Sequence, residues 1–332
     1  MKFKILIILS FVLSAFFTSC SSSSDTVIGN WVFKGHTEFK LRADGSSFAI
    51  NNFGYWGMGY DDDNYLTDFW KYNADKNSWT QVASFPGTPR AYNVSISNGK
   101  KGFVGLGYDG NKDLSDFWEY DPETDRWDSL PAFPGGARRY ATAFAIGDDI
   151  YVGTGFNYDN LEYFNDFYKF SNGAWTKITA LTGAKRYGAN SIGFNGKGYL
   201  ISGYHGSALV DFWVYDPATD SWTEQYKLND TDNGGNTAVA RYDASIFVSE
   251  SKIYLVGGTT TGSALSTCYE WDPLSLEWTQ KTSIESGTAR QGAGHFMIND
   301  YGYVVAGRSG TYYLDDLWMF QPSVEKNTDD ND

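Results

Sequence analysis

A tryptophan recurs along this chain at an almost constant interval, and that regularity constrains the fold more than any other feature. Successive members of the series are separated by 48, 48, 48, 47 and 56 residues. The six are Trp31, Trp79, Trp127, Trp175, Trp222 and Trp278. Each begins a strand-like stretch, such as WTQVASF or WDSLPAF. A repeat of this length within 332 residues predicts an array of similar units rather than unrelated domains.

Two further positions are fixed within each repeat. An arginine follows the tryptophan, eleven residues later in the first four repeats, and a glycine follows every arginine after seventeen residues. The arginines are Arg42, Arg90, Arg138, Arg186, Arg241 and Arg290, and the glycines are Gly59, Gly107, Gly155, Gly203, Gly258 and Gly307. Between them lie two apolar segments split by a turn, as in SIGF-NGKG-YLISG, which predicts a β-hairpin.

A third strand-like segment follows each glycine, and a turn then leads to the next tryptophan. These segments read DFWKY, DFWEY, DFYKF, DFWVY, TCYEW and DLWMF. Each repeat therefore contains four short antiparallel strands, and four strands about every fifty residues predict the blades of a β-propeller. An aromatic content of 18% with 36 Gly suits strands joined by tight turns.

In these motifs the chain resembles the kelch-repeat family. The resemblance rests on three motifs: the glycines, the tyrosine six to seven residues before each tryptophan, and the arginine eleven residues after it. The resemblance covers Trp31 to Phe320. It implies an all-β, six-bladed propeller of four-stranded antiparallel blades. The chain departs from the family where the adjacent glycine pair survives only as Gly257–Gly258.

The two ends of the repeat region complement each other. The region begins with a lone Trp31 strand and ends after the strand Asp316–Phe320, which leaves the last repeat without its fourth strand. We expect the Trp31 strand to fill that place, so that one blade is closed by an N-terminal strand and no sheet edge is left free. The predicted propeller spans residues 29–322, and residues 323–332 are predicted to form an acidic disordered tail.

The first nineteen residues are predicted to be a signal peptide. Lys2 and Lys4 precede an apolar run over residues 5–17, which is too short to span a bilayer, and Ser19 and Cys20 follow. This pattern resembles a bacterial lipoprotein signal, which implies cleavage before Cys20, lipid attachment to it and a tether over residues 20–28. An ordinary secretory signal with an incidental cysteine is the alternative. If Cys20 is acylated, Cys268 has no partner for an internal disulfide.

The arginines are the first candidate site. Each is expected to begin the innermost strand of its blade, so that the six ring one mouth of the central channel together with nearby aromatic residues. The predicted ligand-binding residues are Arg42, Arg90, Arg138, Arg186, Arg241, Arg290, Tyr92, Tyr140, Tyr187, Tyr242 and His295. Convergent guanidinium groups would attract an anionic ligand. The alternative is structural, with each arginine pairing with loop carbonyls and acids of the protein itself.

Metal and cofactor sites are not indicated. Loops such as YDDDNYLTD are rich in oxygen ligands that suit Ca²⁺, but turn-forming Asp and Asn explain them without a metal. His36, His205 and His295 lie in different repeats without metal-ligand spacing. The resemblance to kelch propellers also raises the copper site of galactose oxidase, but that site needs a histidine pair, and none accompanies Cys268. We predict no metal and no cofactor. The Asp before the third strand is expected to be a structural hydrogen-bonding residue at Asp68, Asp116, Asp166, Asp211 and Asp316.

Three classes of function remain open: a binding module, an enzyme and a structural role in the cell envelope. A net charge of −14 disfavours nucleic acid, because an acidic chain repels phosphate backbones. We predict a monomeric, lipid-anchored module of the cell envelope, on the outer membrane, that binds an envelope protein or an anionic glycan. The alternative comes from the resemblance, since bacterial six-bladed kelch proteins include an exported mutarotase of sialic acid. It implies a sugar mutarotase or epimerase, which needs acid–base groups and an arginine for the carboxylate.

Overall fold

The first strand of the chain belongs to the last blade. The computed structural model describes residues 28–285 and 289–331 and contains six four-stranded antiparallel sheets arranged as blades in a ring. Strand β1 (Ile28–His36) precedes blade 1, which consists of β2 (Ser46–Ile50), β3 (Phe53–Gly57), β4 (Phe69–Asn73) and β5 (Ser78–Val82). Blade 2 consists of β6 (Val94–Ser97), β7 (Gly102–Gly105), β8 (Phe117–Asp121) and β9 (Arg126–Leu130).

Blades 3 to 5 repeat this order, with small additions. A two-stranded ribbon, β12 (Phe156–Asn157) and β13 (Glu162–Tyr163), interrupts blade 3, which consists of β10 (Thr142–Ile146), β11 (Asp149–Gly153), β14 (Phe167–Ser171) and β15 (Ala174–Ile178). Blade 4 consists of β16 (Asn190–Phe194), β17 (Lys197–Ile201), β18 (Asp211–Asp216) and β19 (Ser221–Lys227). Short 3-10 helices at Thr231–Asn233 and Thr237–Val239 precede blade 5, which consists of β20 (Ser245–Ser249), β21 (Lys252–Val256), β22 (Cys268–Asp272) and β23 (Glu277–Lys281). Those helices account for the longer fifth repeat.

Blade 6 closes the ring as predicted. It consists of β24 (Gly294–Ile298), β25 (Tyr301–Val305) and β28 (Asp316–Glu325), with β1 as its outermost strand. A second ribbon, β26 (Arg308–Ser309) and β27 (Tyr312–Tyr313), lies between β25 and β28. Trp31 is buried, packs its ring 4.7 Å from that of Phe320, and donates its indole N–H to the Thr282 carbonyl at 2.9 Å. The N-terminal strand therefore joins blades 5 and 6 as well as completing the sheet.

The recurring tryptophans connect neighbouring blades. The indole N–H of Trp127 donates to the Ala83 carbonyl of the preceding blade at 2.9 Å, and that of Trp175 donates to the Pro131 carbonyl at the same distance. Their rings fill the space between the sheets with other aromatic side chains. Trp31 and Trp222 make the same kind of bond, to the carbonyls of Thr282 and Thr179, so four of the six recurring tryptophans join their blade to the preceding one.

The C-terminal tail is ordered as far as it is described, and this corrects the predicted boundaries. Strand β28 runs to Glu325, and a 3-10 helix follows at Thr328–Asn331. Asn30 of β1 holds the segment, since its side chain accepts from the Asn327 N–H at 2.8 Å and donates to Asp330 at 2.8 Å. The prediction of a disordered tail overlooked this contact across the two termini. The signal peptide and Cys20 lie outside the described residues, as does the predicted tether apart from Ile28.

Across residues 28–285 and 289–331, no helix is long and apolar enough to cross a membrane.

Candidate ligand-binding site

The six arginines lie inside the blades. Each is at most 1% exposed. Arg90 is representative: it donates to both carboxylate oxygens of Asp116 at 2.5 and 2.8 Å, and to the carbonyls of Leu106 and Thr88 at 3.1 and 2.9 Å. Four other blades repeat the ion pair, as Arg42–Asp68, Arg138–Asp166, Arg186–Asp211 and Arg290–Asp316. The carboxylate and carbonyl oxygens of the protein already occupy these guanidinium groups, so no anionic ligand is needed to pair with them.

The expectation that the arginine side chains line a mouth is therefore corrected in favour of the structural alternative. Each arginine precedes its innermost strand by four residues instead of beginning it, and its side chain turns into the blade. A buried guanidinium without a counter-charge is costly, so the same repeat supplies the acid. The prediction that the recurring Asp is a structural hydrogen-bonding residue is confirmed, because Asp68 accepts from both Arg42 and the Trp70 indole N–H.

The pKa values support the pairing of each arginine with an aspartate and single out Arg241 as the exception. Burial raises the pKa of Asp116, but the hydrogen bonds and charge of Arg90 outweigh burial, and the net pKa lies below the usual range. In blade 5 the acid is replaced by Thr267, whose hydroxyl accepts from Arg241 at 3.0 Å. Burial without a carboxylate lowers the pKa of Arg241 to about 10. The fold accommodates one guanidinium held by neutral oxygens alone.

The invariant arginine-to-glycine interval also has a structural cause. The backbone carbonyl of Arg90 accepts from the Gly59 N–H of the preceding blade at 3.0 Å, and equivalent bonds link each blade to the next. Gly59 has φ +85°, and a Cβ there would lie 2.5 Å from the Ala43 carbonyl oxygen. Within each blade the arginine also donates to the backbone carbonyl sixteen residues later, directly before the glycine. This contact accounts for the fixed interval, and the residues at both of its ends are scaffold.

A second ring of residues lies two positions beyond the arginines. All six have φ between 54° and 62°, and their backbone N–H and carbonyl groups bond head to tail around the axis at 2.8–3.5 Å. The backbone is the same in every blade, but the side chains differ. We call this set the mouth ring: Asp44, Tyr92, Tyr140, Gly188, Asp243 and Gly292.

Tyrosines gather on one side of the mouth ring. Tyr92 stacks against Tyr140 with ring centroids 4.6 Å apart, and Tyr140 lies 5.2 Å from Tyr187. Tyr204 lies 5.1 Å from Tyr187 and 4.9 Å from Tyr242. All five rings are half-buried. The structure thus brings the four predicted tyrosines together and adds Tyr204, and we call these five the tyrosine cluster.

Two carboxyl groups occupy the other side. Asp44 and Asp243 are in side-chain contact, and Arg308 donates to Asp44 from Nε at 3.1 Å. Carboxylates only accept, so the contact is a hydrogen bond only when the pair holds a proton. Burial, followed by the charge of Asp44, raises the pKa of Asp243 to about 8. Burial also raises the pKa of Asp44, against the charge and hydrogen bond of Arg308, so at neutral pH the two carboxyl groups share one proton beside Arg308.

Sequence reasoning missed this carboxyl pair. Its signal was available in the alignment of the repeats, where the position two beyond the arginine varies. Arg308 follows an invariant glycine, where other repeats have Tyr60, Tyr108 or Tyr204. Gly292 makes room for the pair, since a Cβ there would lie 2.3 Å from Asp44 Oδ1.

A cavity of about 340 Å³ lies along the axis between the innermost strands, and the mouth ring is part of its lining. His295, the remaining predicted site residue, lines it with Ser47, Ser95 and Ser191. Burial lowers the pKa of His295 to about 4, so its imidazole is neutral at pH 7. A cavity of this size with convergent polar groups is typical of a small-molecule site.

The acidic loops use their oxygen atoms internally. Asp61 accepts the backbone N–H groups of Asp63 and Asn64, and Asp109 accepts those of Asn111 and Lys112. In the part of the chain that the structure describes, no group of three or more His, Cys, Asp or Glu side chains is placed to hold a metal ion. Cys268 is a free, buried thiol whose pKa is raised by burial.

Comparisons with known proteins agree with this architecture. One family model described as "Kelch motif" matches residues 107–134 and 240–283, and a second with the same description matches residues 185–225. A solved structure titled "Structure of YjhT" is similar with a TM-score of 0.71, covering 86% of this chain and 96% of that chain at 16% identity. Identity at this level supports the fold alone. Among curated proteins, none matches the chain.

Proposed function

The chain is a kelch-repeat β-propeller, and on that premise we propose that it is a binding module whose ligand, a glycan, rests on the tyrosine cluster. The observation that carries the proposal is the convergence of five half-buried tyrosines at one end of the axis, two of them, Tyr92 and Tyr140, in the mouth ring, where the repeat fixes only the backbone. Tyrosine rings offer an apolar face and a hydroxyl group, which together match the C–H faces and hydroxyl rims of sugars.

Nearby charges favour an uncharged glycan surface over an anionic one. Arg308 is paired with Asp44, and Arg139 is paired with Asp113 at 2.6 Å while stacking on Tyr108. Neither guanidinium is free for a carboxylate or sulfate. The anionic partner expected from the arginines therefore loses its main support.

The test is a glycan array followed by calorimetry with the best-binding oligosaccharide. Replacement of a hot-spot aromatic typically costs at least about 1.4 kcal/mol, so Tyr187→Ala and Tyr204→Ala should each weaken binding at least about tenfold. Tyr301→Ala is the matched control, since Tyr301 is partly exposed on the hairpin of blade 6 and lies outside the cluster. Unchanged affinity in both cluster variants, or capture of an envelope protein without any glycan binding, would refute the glycan proposal.

We propose that the module acts at the cell envelope, on the outer membrane, through a lipid on Cys20. The support is the basic, apolar and cysteine-terminated N-terminal sequence. Radiolabelled palmitate should enter the wild type and not Cys20→Ser. Equal labelling of the two proteins would refute the anchor without affecting the glycan proposal.

The carboxyl pair favours a second candidate, an acid–base enzyme acting on sugars, which is a mutarotase or epimerase of an uncharged sugar. One protonated and one ionised carboxyl group side by side provide a general acid and a general base. In mutarotation, the Asp243 proton would go to the ring oxygen while Asp44 takes the proton of the anomeric hydroxyl. Exchange spectroscopy of the two anomers should show acceleration that Asp44→Asn and Asp243→Asn abolish. The absence of acceleration by the wild type would exclude this activity.

A further inference from the structure

Aromatic side chains form a line across the loops of blades 1 to 3, on the face of the propeller that holds the tyrosine cluster. Each of these loops joins the second strand of its blade to the third. In blade 1, Tyr60 pairs with Tyr65 across the loop, and their ring centroids are 4.9 Å apart. The Tyr65 ring in turn lies 6.0 Å from the ring of Tyr108 in blade 2. The loops of blades 1 and 2 therefore share one aromatic surface.

Arg139 continues this surface from blade 2 to blade 3. Its guanidinium carbon lies 3.6 Å from the ring centroid of Tyr108 and 5.2 Å from that of Tyr158. Asp113, whose side chain is fully buried, accepts from Arg139 Nε at 2.6 Å and from the Tyr158 backbone N–H at 2.7 Å. An acid of the protein therefore holds the guanidinium group in place and compensates its charge, and the flat face of that group joins the two rings.

The line reaches the tyrosine cluster in blade 3. Phe156 lies 6.4 Å from Tyr158 and pairs with Tyr163 across the ribbon β12–β13 at 4.8 Å. Phe156 and Tyr163 both contact Tyr187 of the cluster, at 5.9 and 5.7 Å. The His205 imidazole stacks parallel to Tyr163 at 4.4 Å and ends the line. All six rings of the line are half-buried or exposed, and we call them the aromatic row: Tyr60, Tyr65, Tyr108, Tyr158, Phe156 and Tyr163.

The corresponding loops of blades 5 and 6 show that the fold does not require these rings. Directly after the invariant glycine, blades 1 to 4 have an aromatic residue, but blade 5 has Thr259 and blade 6 has Arg308. Both keep the backbone pairing across the loop, Thr259 with Ala264 and Arg308 with Tyr313. The aromatic row is therefore an addition to the scaffold, and contiguous exposed aromatic surface typically marks an interaction site.

We propose that the aromatic row binds successive sugar rings of a linear, uncharged oligosaccharide that extends from the tyrosine cluster across blades 3, 2 and 1. This inference rests on the proposed glycan function and adds the class of ligand, which is a chain and not a single terminal sugar. The rings follow one another in a line, so several sugar rings can each rest on an aromatic face. Because Asp113 compensates Arg139, the row has no cation that calls for an anionic chain.

A sugar chain fits this surface better than a protein partner does. A stable protein interface buries about 800 Å² on each partner, and its core is depleted of charged residues. The row is narrow and has a charged border. Asp62 and Asp63 are exposed beside it in blade 1, and Glu162 forms an exposed ion pair with Lys185 next to Tyr163. The hydroxyl groups of a sugar chain can bond to such a border while the C–H faces cover the rings.

Calorimetry on the whole propeller with disaccharides and hexasaccharides tests the length of the ligand. The probes are both lengths of four uncharged polymers, namely cellulose, amylose, xylan and mannan. We expect the hexasaccharide of at least one series to bind at least about tenfold more tightly than its disaccharide, because only the longer probe reaches the row.

Tyr108→Ala and Tyr158→Ala remove rings of the row that lie outside the tyrosine cluster. Each should weaken hexasaccharide binding at least about fivefold and leave disaccharide binding within about twofold. Tyr108→Phe keeps the ring and should bind both lengths as the wild type does. Tyr312→Ala is the matched control, since Tyr312 is 79% exposed on the ribbon β26–β27 of blade 6, outside the row. Thermal melting establishes that each variant is folded.

The outcomes separate this inference from the function on which it rests. Equal affinity for the two lengths, or hexasaccharide binding untouched by both alanine variants, would overturn the inference. The glycan proposal would still stand if Tyr187→Ala weakened binding of the disaccharide. Failure of every hexasaccharide to bind, or capture of an envelope protein that depends on Tyr108, would show that the row does not hold a sugar chain.

Discussion

The arginine positions and the mouth ring lie two residues apart in every blade, yet they differ in what the repeat keeps constant. At the arginine positions both the backbone and the side chain are the same six times, and the side chain is buried among partners from its own blade. In the mouth ring the backbone is the same, with φ near 58° throughout, but the side chains are acidic, aromatic or absent. A repeated side chain therefore marks scaffold, and a repeated backbone with varied side chains marks the place where this propeller can carry function.

Removing an arginine should give the largest effect. Arg186→Ala leaves Asp211, whose side chain is only 15% exposed, without its counter-charge, and breaking such a buried pair typically costs about 3–5 kcal/mol of unfolding free energy. Equilibrium denaturation measures this cost. The control is Arg126→Ala, where the arginine is exposed and a change within about 0.5 kcal/mol is expected. Similar stabilities for the two variants would mean that the arginine positions are not scaffold.

The second largest loss of stability is expected when a side chain is added at Gly292 of the mouth ring. Gly292→Ala places a methyl group 2.3 Å from Asp44 Oδ1 on a backbone with φ +62°, so we expect a loss of about 2–4 kcal/mol. Gly310→Ala is matched in backbone, with φ +61°, but its Cβ would meet nothing within 4 Å. It should cost only about 1 kcal/mol, from φ alone. Equal losses in thermal or chemical unfolding would show that the contact with Asp44 does not matter.

Stability should depend on pH through the carboxyl pair. The pKa of Asp243 is raised by burial to about 8, so its contribution is present at low pH and is lost as the pH rises through that value. Lowering the pH from 9 to 6.5 should raise the unfolding free energy by up to about 2 kcal/mol, since one pKa unit is worth about 1.4 kcal/mol. Asp243→Asn should flatten this slope.

Below pH 6.5 a second group opposes this trend. The pKa of His295 is lowered by burial to about 4, so its contribution is present above its ordinary pKa and is lost as the pH falls through 4. The window from pH 6.5 to 9 therefore lies clear of His295 and reports on the Asp44–Asp243 pair. A wild-type profile that is flat there, or one that rises with pH, would contradict the proton-sharing arrangement.

Restoring the missing acid in blade 5 should have the smallest effect. Thr267→Asp places a carboxylate where the other blades have one, and it should stabilise the fold by about 1 kcal/mol because Arg241 is already buried and charged. Thr267→Asn is the uncharged control of similar shape and should not stabilise. Urea midpoints distinguish the two variants. Equal midpoints would show that neutral oxygens serve Arg241 as well as an acid does.

Much of the fold could be predicted because the repeat is local and regular. The tryptophan spacing gave the number of blades, and the lone Trp31 strand predicted the ring closure that pairs β1 with β28. The ordered tail could not be predicted from local composition, because it depends on Asn30, which lies at the other end of the chain. A polar acidic segment is held here by contacts with residues far away in the sequence, among them Asn30, Glu250 and Glu285.

The candidate site was predicted only in part. The spacing located Tyr92 and Tyr140 near the axis, but it could not show that the arginines two residues earlier point into the blades. The direction of each arginine side chain depends on the left-handed backbone of the mouth ring and on the aspartate that lies 25–28 residues further along the chain. The carboxyl pair joins Asp44 and Asp243 from blades 1 and 5, and a contact between repeats has no signature within a single repeat.

The closure of blade 6 has a consequence for how the protein is made. Ile28 leaves the ribosome 297 residues before its partner Glu325. At synthesis rates of 5–20 residues per second, the Trp31 strand waits on the order of tens of seconds for the sheet that buries it. Blades 1 to 5 can form one after another during that time, since each is contiguous in sequence. Pairing β1 with β28 converts an open row of blades with two unpaired edges into a closed ring, and the unclosed chain is most exposed to aggregation until it happens.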